Sequence, residues 1–382
     1  MLFKERTQAS IDASKYISRD LSWIQFNHRV LDQARSEDRT ILERLKFLAI
    51  TASNLDEFFM VRVGSLYNYL DYSKQRFDYS GLREGPFRVL LFEELQAFVR
   101  AQQQCYAELQ QHFGENHFHI GTLADLTPEE AKEVTSYFKK TVFPMLTPML
   151  TDAYRTFPLL MNKLLVFGIV TIEPDEEGNE RRMLSFVQIP QNLPRFYEVT
   201  REHEIIFVPI EEIIRHNVKR LYRNVEIVSA DLFRITRNGD YTLDESEDIE
   251  AQFIDELKRK LKSRRTGRVV RIEAQPGCSK WMLKKLKSRW DLDDYNVFEC
   301  EPMVDFSGLW QLIGHEAFRY YLPDPPAPVP PLSLASLPAG QHPDSIFHLL
   351  RKQDVLMHHP YNDIEPLLQL LEAAAEDPNV LA

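Results

Sequence analysis

Cysteine is scarce in this 382-residue chain. Cys105, Cys278 and Cys300 are the whole complement, far apart and without a Cys-x-x-Cys pair. That excludes a disulfide scaffold, argues against a structural zinc site and fits a reducing compartment. Long apolar runs are missing too. The longest, Phe157 to Val170, is broken by Asn162-Lys163 and falls short of the ~20 residues that span a bilayer. The amino terminus, Met1-Leu2-Phe3-Lys4-Glu5-Arg6, mixes charges and leads into no apolar segment, so no secretory signal is read there. These absences predict a cytoplasmic protein without a transmembrane segment, compatible at most with peripheral membrane association. Walker loop, dinucleotide fingerprint, His-Glu-x-x-His helix and nucleophile elbow are all absent, which removes the usual self-contained nucleotide and hydrolase signatures. An excess of cations is also lacking: 57 acids against 46 bases leave a net charge of −11. A general nucleic-acid coat is thereby disfavoured, and no nucleic-acid partner is expected.

What is present is globular. A hydrophobic fraction of 44% and a charged fraction of 27% are ordinary values for a packed protein, and the length predicts two or three domains. Residues 1–115 read as a helical bundle. Ser18, Asp20 or Ser22 caps a segment with Leu21, Trp23, Ile24, Phe26, Val30 and Leu31 at helical spacing. Thr40-x-x-Glu43 is a capping box ahead of a second helix. Ser53-x-x-Asp56 reads as the start of a third, with a stripe running from Leu55 to Leu70. A turn-rich stretch at Tyr79-Ser80-Gly81 precedes a long helix over Val89 to Leu109.

Residues 116–325 change character. Thr127-Pro128-Glu129-Glu130 starts a helix. Strands are predicted at Leu164 to Thr171, Met183 to Ile189, Ile205 to Val208 and Val269 to Glu273, and helices at Ile210 to Leu221 and Glu247 to Leu261. Uneven mixing of the two favours an α+β domain. Prolines crowd Pro323 to Pro343, and residues 326–345 read as an extended linker. Residues 346–382 then give a strand at Asp354 to His358, a helix at Ile364 to Glu376 and the beginning of a further strand, the incomplete start of another domain.

Three groups of residues bear on chemistry. His117 and His119 sit near Gly114 and Asn116 and read as solvated loop residues without metal-ligand spacing. His358-His359, adjacent on a strand, point to opposite faces and cannot chelate together. From Lys258 to Arg289 there are thirteen Lys and Arg against the single acid Glu273, a net +12, so the remainder carries −23. Arg264, Arg265, Lys280, Lys284, Lys285 and Lys287 make this segment either a polyanion surface or a solvated face. In Ser53-Asn54-Leu55-Asp56-Glu57-Phe58, Asn54 falls in the first turn of the expected third helix. It either helps to start that helix or reads a phosphate or a base edge.

Arg19-Asp20-Leu21-Ser22-Trp23-x-x-Phe26-Asn27-x-Arg29-Val30-Leu31, Leu42-Glu43-Arg44-Leu45-Lys46-Phe47-Leu48 and Ser53-Asn54-Leu55-Asp56-Glu57-Phe58 together resemble the amino-terminal domain of the bacterial type-one polyphosphate kinases. The likeness continues through Val142-Phe143-Pro144-Met145-Leu146-Thr147-Pro148, Leu193-Pro194-Arg195-Phe196 and Phe233-Arg234-Ile235-Thr236-Arg237. It resumes at Asp354-Val355-Leu356-Met357-His358-His359-Pro360-Tyr361. The resemblance implies a multidomain α+β protein: an N-terminal helical bundle, a mixed α/β head domain and the truncated start of a phospholipase D-like α/β domain.

It further implies reversible transfer of the ATP γ-phosphoryl group to the end of inorganic polyphosphate, through a phosphohistidine and with magnesium. ATP/ADP and polyphosphate are then the ligands, Asn54 a nucleotide contact, and self-association into a dimer or tetramer the expected assembly. Asp20 replaces the family's usual Glu, and Arg155-Thr156-Phe157-Pro158 stands where His-Pro-Phe-Pro is common. The family's catalytic histidines, phosphate-binding arginines and magnesium ligands are expected beyond Ala382, so no catalytic or metal residue is assigned here, and the chain alone is expected to be inactive. From a different class, the alternative is a non-catalytic polyanion-binding or assembly module.

Overall fold

The protein is described by a computed structural model that covers residues 16–71, 84–151, 157–174, 180–222, 225–239, 267–301, 303–324, 326–331 and 344–380. The chain divides into two compact units, Met1–Tyr321 and Leu322–Ala382. The first opens with helices α1 (Arg19–Arg35) and α2 (Ile41–Phe58). Ser18 is the cap of α1, its hydroxyl accepting from the Leu21 N–H. Thr40 and Glu43 form the expected reciprocal box at the start of α2. Such caps satisfy N–H groups that have no partner inside the helix.

The expected third helix does not start at Ser53. The Ser53 hydroxyl instead donates to the Ala49 carbonyl at 3.2 Å, so α2 runs through the motif and ends at Phe58. A π-helical turn, Phe59–Val63, joins it to α3 (Gly64–Asp71), and α4 (Glu84–Gln110) completes the helical part. Leu31, Leu45, Leu48, Phe92, Leu95 and Phe98 are fully buried. The Tyr79-Ser80-Gly81 turn and the Glu247–Leu261 helix lie outside the described residues.

After β1 (Phe118–Ile120) and α5 (Pro128–Tyr137) come β2 (Pro148–Thr151), β3 (Leu165–Pro174), β4 (Glu180–Gln188), β5 (Phe196–Thr200), β6 (Ile205–Pro209) and α6 (Ile210–Asn217). Then follow β7 (Glu226–Arg237), β8 (Val269–Ala274), α7 (Lys280–Trp290), β9 (Val297–Glu299) and α8 (Leu309–Ile313). Two sheets result, in the orders β2-β4-β3-β7-β8-β9 and β1-β6-β5. All pairings are antiparallel except β8–β9 and β1–β6. The helix α7 buries Met282 and Leu286 against Val170, Phe186, Phe233 and Ile272 of the larger sheet, each worth about 1.5–3 kcal/mol. Gly168 on β3 permits that approach, since a Cβ there would collide with the Met282 sulfur. His119 lies on β1, not in a loop, and pairs with Glu204 at 3.2 Å while half exposed.

The second unit carries α9 (Asp344–Leu350) and α10 (Glu365–Glu376). Asp354–His358 forms no strand. A strand is sustained by a neighbour that takes its N–H and C=O groups; among the described residues of this unit the pairing is a single bridge between Val329 and Asn362.

Candidate functional site

Asn54 lies near the carboxy-terminal end of α2, not in a first turn, so its own helix offers no N-terminal N–H groups beside it. Its contribution is its side-chain amide. That amide opens on a cleft of about 500 Å³ between α1 and α2, lined also by Arg19, Trp23, Phe26, Arg29 and Arg62. Trp23 stacks on Phe58 with ring centroids 4.2 Å apart and planes 18° from parallel, while the Phe26 ring is 45% exposed. Arg62 reaches Asp20 at 2.7 Å. Val61 and Arg62 come from the π turn, a helical irregularity common at functional sites. An aromatic floor, one amide and several guanidiniums form an arrangement that can take a base, read its edge and neutralise attached phosphates.

Asp56, two residues on, faces the other way, into a buried ion cluster. Its carboxylate receives Arg234 at 2.5 and 3.1 Å and also Arg271. Arg234 Nε contacts Glu273 at 2.8 Å and a terminal nitrogen lies 3.2 Å from Asp305. Arg271 contacts Glu273 at 3.1 Å, bonds Thr236 at 3.0 Å and lies 4.3 Å over the Phe59 ring. Burial works to deprotonate Arg234, but Asp56, Glu273 and Asp305 outweigh it and hold its pKa well above the usual value. Burial pushes the Glu273 carboxyl up against the opposing pull of Arg234 and Arg271. Burial also works against ionisation of the half-buried Asp305, yet Arg234 and the Ser307 hydrogen bond bring it below the ordinary carboxylate range.

This cluster escaped the sequence reading. Its signal was Glu273, the lone acid among thirteen cations, on a strand that is buried throughout.

Arg264 and Arg265 lie outside the described residues. Lys280, Lys284, Lys285 and Lys287 all belong to α7, whose Met282 and Leu286 point inward. Lys280, Lys284 and Lys285 are exposed and Lys287 is half-buried. Lys280 and Lys287 line a second cleft, of about 840 Å³, together with Arg100 and the acids Asp294, Glu299 and Glu301. Lys287 is paired with Asp294, and Lys285 sits 5.6 Å over Trp281. The two clefts share no residue. Among the described residues no group of three or more His, Cys, Asp or Glu is placed to hold a metal ion. No helix there is long and apolar enough to cross a membrane.

Family models match in chain order: the polyphosphate kinase N-terminal domain at residues 16–121, the middle domain at 129–312 and C-terminal domain 1 at 345–382. This chain belongs to the polyphosphate kinase family. A polyphosphate kinase of Mycobacterium marinum is 34% identical over 388 residues, which cover 98% of this chain and 51% of the relative. One from Exiguobacterium is 34% identical over 374 residues, covering 96% and 50% respectively. The chain thus spans about half the length of the curated polyphosphate kinases it matches. The crystal structure of polyphosphate kinase from Porphyromonas gingivalis superposes with a TM-score of 0.71 at 22% identity, over 96% of this chain and 50% of that one. The likeness shows the same multidomain α+β fold as that polyphosphate kinase.

Proposed function

We propose that this chain is the amino-terminal half of a polyphosphate kinase, supplying nucleotide contact and self-association. The full-length enzyme would move the ATP γ-phosphoryl group reversibly to the end of inorganic polyphosphate, through a phosphohistidine, with magnesium, in the cytoplasm. The observation that carries this reading is the α1–α2 cleft itself, which Asn54 lines together with Trp23, Phe26, Phe58, Arg19, Arg29 and Arg62. In the full-length protein, Asn54→Ala is expected to weaken apparent ATP affinity about tenfold, the worth of one well-made polar contact. Unchanged affinity removes the assignment.

Phosphoryl transfer needs a nucleophile and charge clamps around the transferring group. The family resemblance puts these beyond Ala382, and the 382-residue chain alone is expected to make no polyphosphate from ATP in a polymer-synthesis assay. The exposed lysines of α7 support a second reading, a non-catalytic module that holds polyphosphate or promotes assembly. Polymer retained by this chain with nucleotide affinity absent would favour it.

A further inference from the structure

Behind Asn54 stands another asparagine, Asn27 of α1, fully buried. Its amide nitrogen donates to the main-chain carbonyl of Thr51 at 3.2 Å, and its oxygen accepts from the Asn54 amide nitrogen at 3.1 Å. Thr51 is itself held, its hydroxyl donating to the Leu48 carbonyl at 2.6 Å and accepting from Gln102 at 2.8 Å. A helix carbonyl only accepts and cannot turn over. The order of donors is therefore dictated outward from the backbone. Thr51 requires the Asn27 N–H, the Asn27 oxygen then requires an N–H of Asn54, and the Asn54 oxygen is left for the cleft. Turned over, Asn27 would set its oxygen against the Thr51 carbonyl, two acceptors with no proton between them, in a site where water cannot compensate.

We infer that Asn27 is a positioning residue that makes Asn54 present a carbonyl acceptor to the cleft, so that Asn54 recognises an amino-bearing purine edge. A phosphate carries acceptors only and meets a carbonyl oxygen unfavourably; its partners in the cleft are the exposed guanidiniums of Arg19 and Arg29. An adenine edge offers the amino donor beside a ring-nitrogen acceptor, which match the free oxygen and the remaining N–H of an asparagine amide. This rests on the reading of the cleft as a nucleotide site and adds to it the polarity of the recognition.

The test is equilibrium binding of ATP and of inosine triphosphate, in which a carbonyl replaces the amino group, to the 382-residue chain and its variants. The wild type is expected to prefer ATP about tenfold. Asn27→Leu frees the Asn54 amide to turn over and is expected to make the two affinities about equal. Loss of stability alone would not move that ratio. Asn54→Asp, which can only accept toward the cleft, is expected to keep the preference for ATP, and with the wild-type preference it tests the acceptor polarity if Asn27→Leu does not fold. A wild type without preference, a folded Asn27→Leu with the wild-type ratio, or an Asn54→Asp that prefers the inosine nucleotide each overturns the inference. If the wild type binds neither nucleotide, or Asn54→Ala leaves both affinities unchanged, the nucleotide reading itself fails and the inference falls with it.

Discussion

At the scale of single residues, two positions apart on one helix lie about 200° apart around its axis, and Asn54 and Asp56 use that separation. One faces the solvent cleft, the other a buried cluster of charges. A charged residue can be buried when partners surround it, as with Asp56 and Arg271, but such pairs add little net stability. The half-buried counterpart is Glu130, gripped by Arg201 through contacts of 2.8 and 2.9 Å and accepting the Thr127 N–H at 2.8 Å. The Arg201 hydrogen bonds first, and the Thr127 main chain second, lower the Glu130 pKa to about 2. A folded-state value below the unfolded one makes the pair stabilising above the ordinary carboxylate pKa near 4.5. That contribution is lost as pH falls from there through about 2. In a carbon-detected titration, Arg201→Ala should move the Glu130 midpoint back toward about 4. A midpoint that stays near 2 would show that the capping box alone holds the carboxylate.

At the scale of elements, α7 sets four lysines on a helix whose inner face is fixed by Met282 and Leu286. Replacing Lys284, Lys285 and Lys287 by Ala should therefore spare the fold. If α7 contacts polyphosphate, the triple variant should bind it about tenfold more weakly at low salt, and the difference should shrink as salt rises. Equal binding at low salt returns α7 to a solvated face.

The elements differ in how far they could be read from the residues. Caps at Thr40 and Thr127 were legible, and Ser18 as one of three candidates, because capping is local chemistry. The strand β7 was not, because Asp231, Arg234 and Arg237 interrupt its apolar pattern, and the partners that make those charges tolerable are remote in sequence. Ser53-x-x-Asp56 looked like a cap because the pattern cannot tell a hydroxyl that accepts from an N–H ahead of it from one that donates to a carbonyl behind it. Asn54 was recognisable by its motif, but its place on the helix and the Asn27 behind it needed the packing of α1 on α2. Asp354–His358 has the composition of a strand, and composition does not supply a neighbour.

At the scale of the molecule, the change of composition near residue 115 falls inside a compact unit. The helical part and the sheets lie in one compact unit that ends at Tyr321. Asp56 is held by Arg234 and Arg271 from β7 and β8, the Gly239 N–H donates to the Met60 carbonyl at 2.9 Å, and Arg88 on α4 grips Asp293 at 2.8 and 2.9 Å. Phe59 and Phe92 pack on Phe298 of β9 with ring centroids 5.3 and 6.2 Å apart. Cut from the sheets, the helices would expose those rings and leave Asp56 without its arginines. Residues 1–321 are therefore expected to unfold in a single calorimetric transition whose van't Hoff and calorimetric enthalpies agree. Residues 1–121 alone are expected to lack a cooperative transition. Asp56→Ala strands two buried guanidiniums and should lower the stability of that one transition by about 3–5 kcal/mol, read from the urea midpoint at constant slope. Two resolved transitions, with Asp56→Ala shifting only one of them, would mean that the helices and sheets fold apart and that the ion cluster merely joins finished pieces.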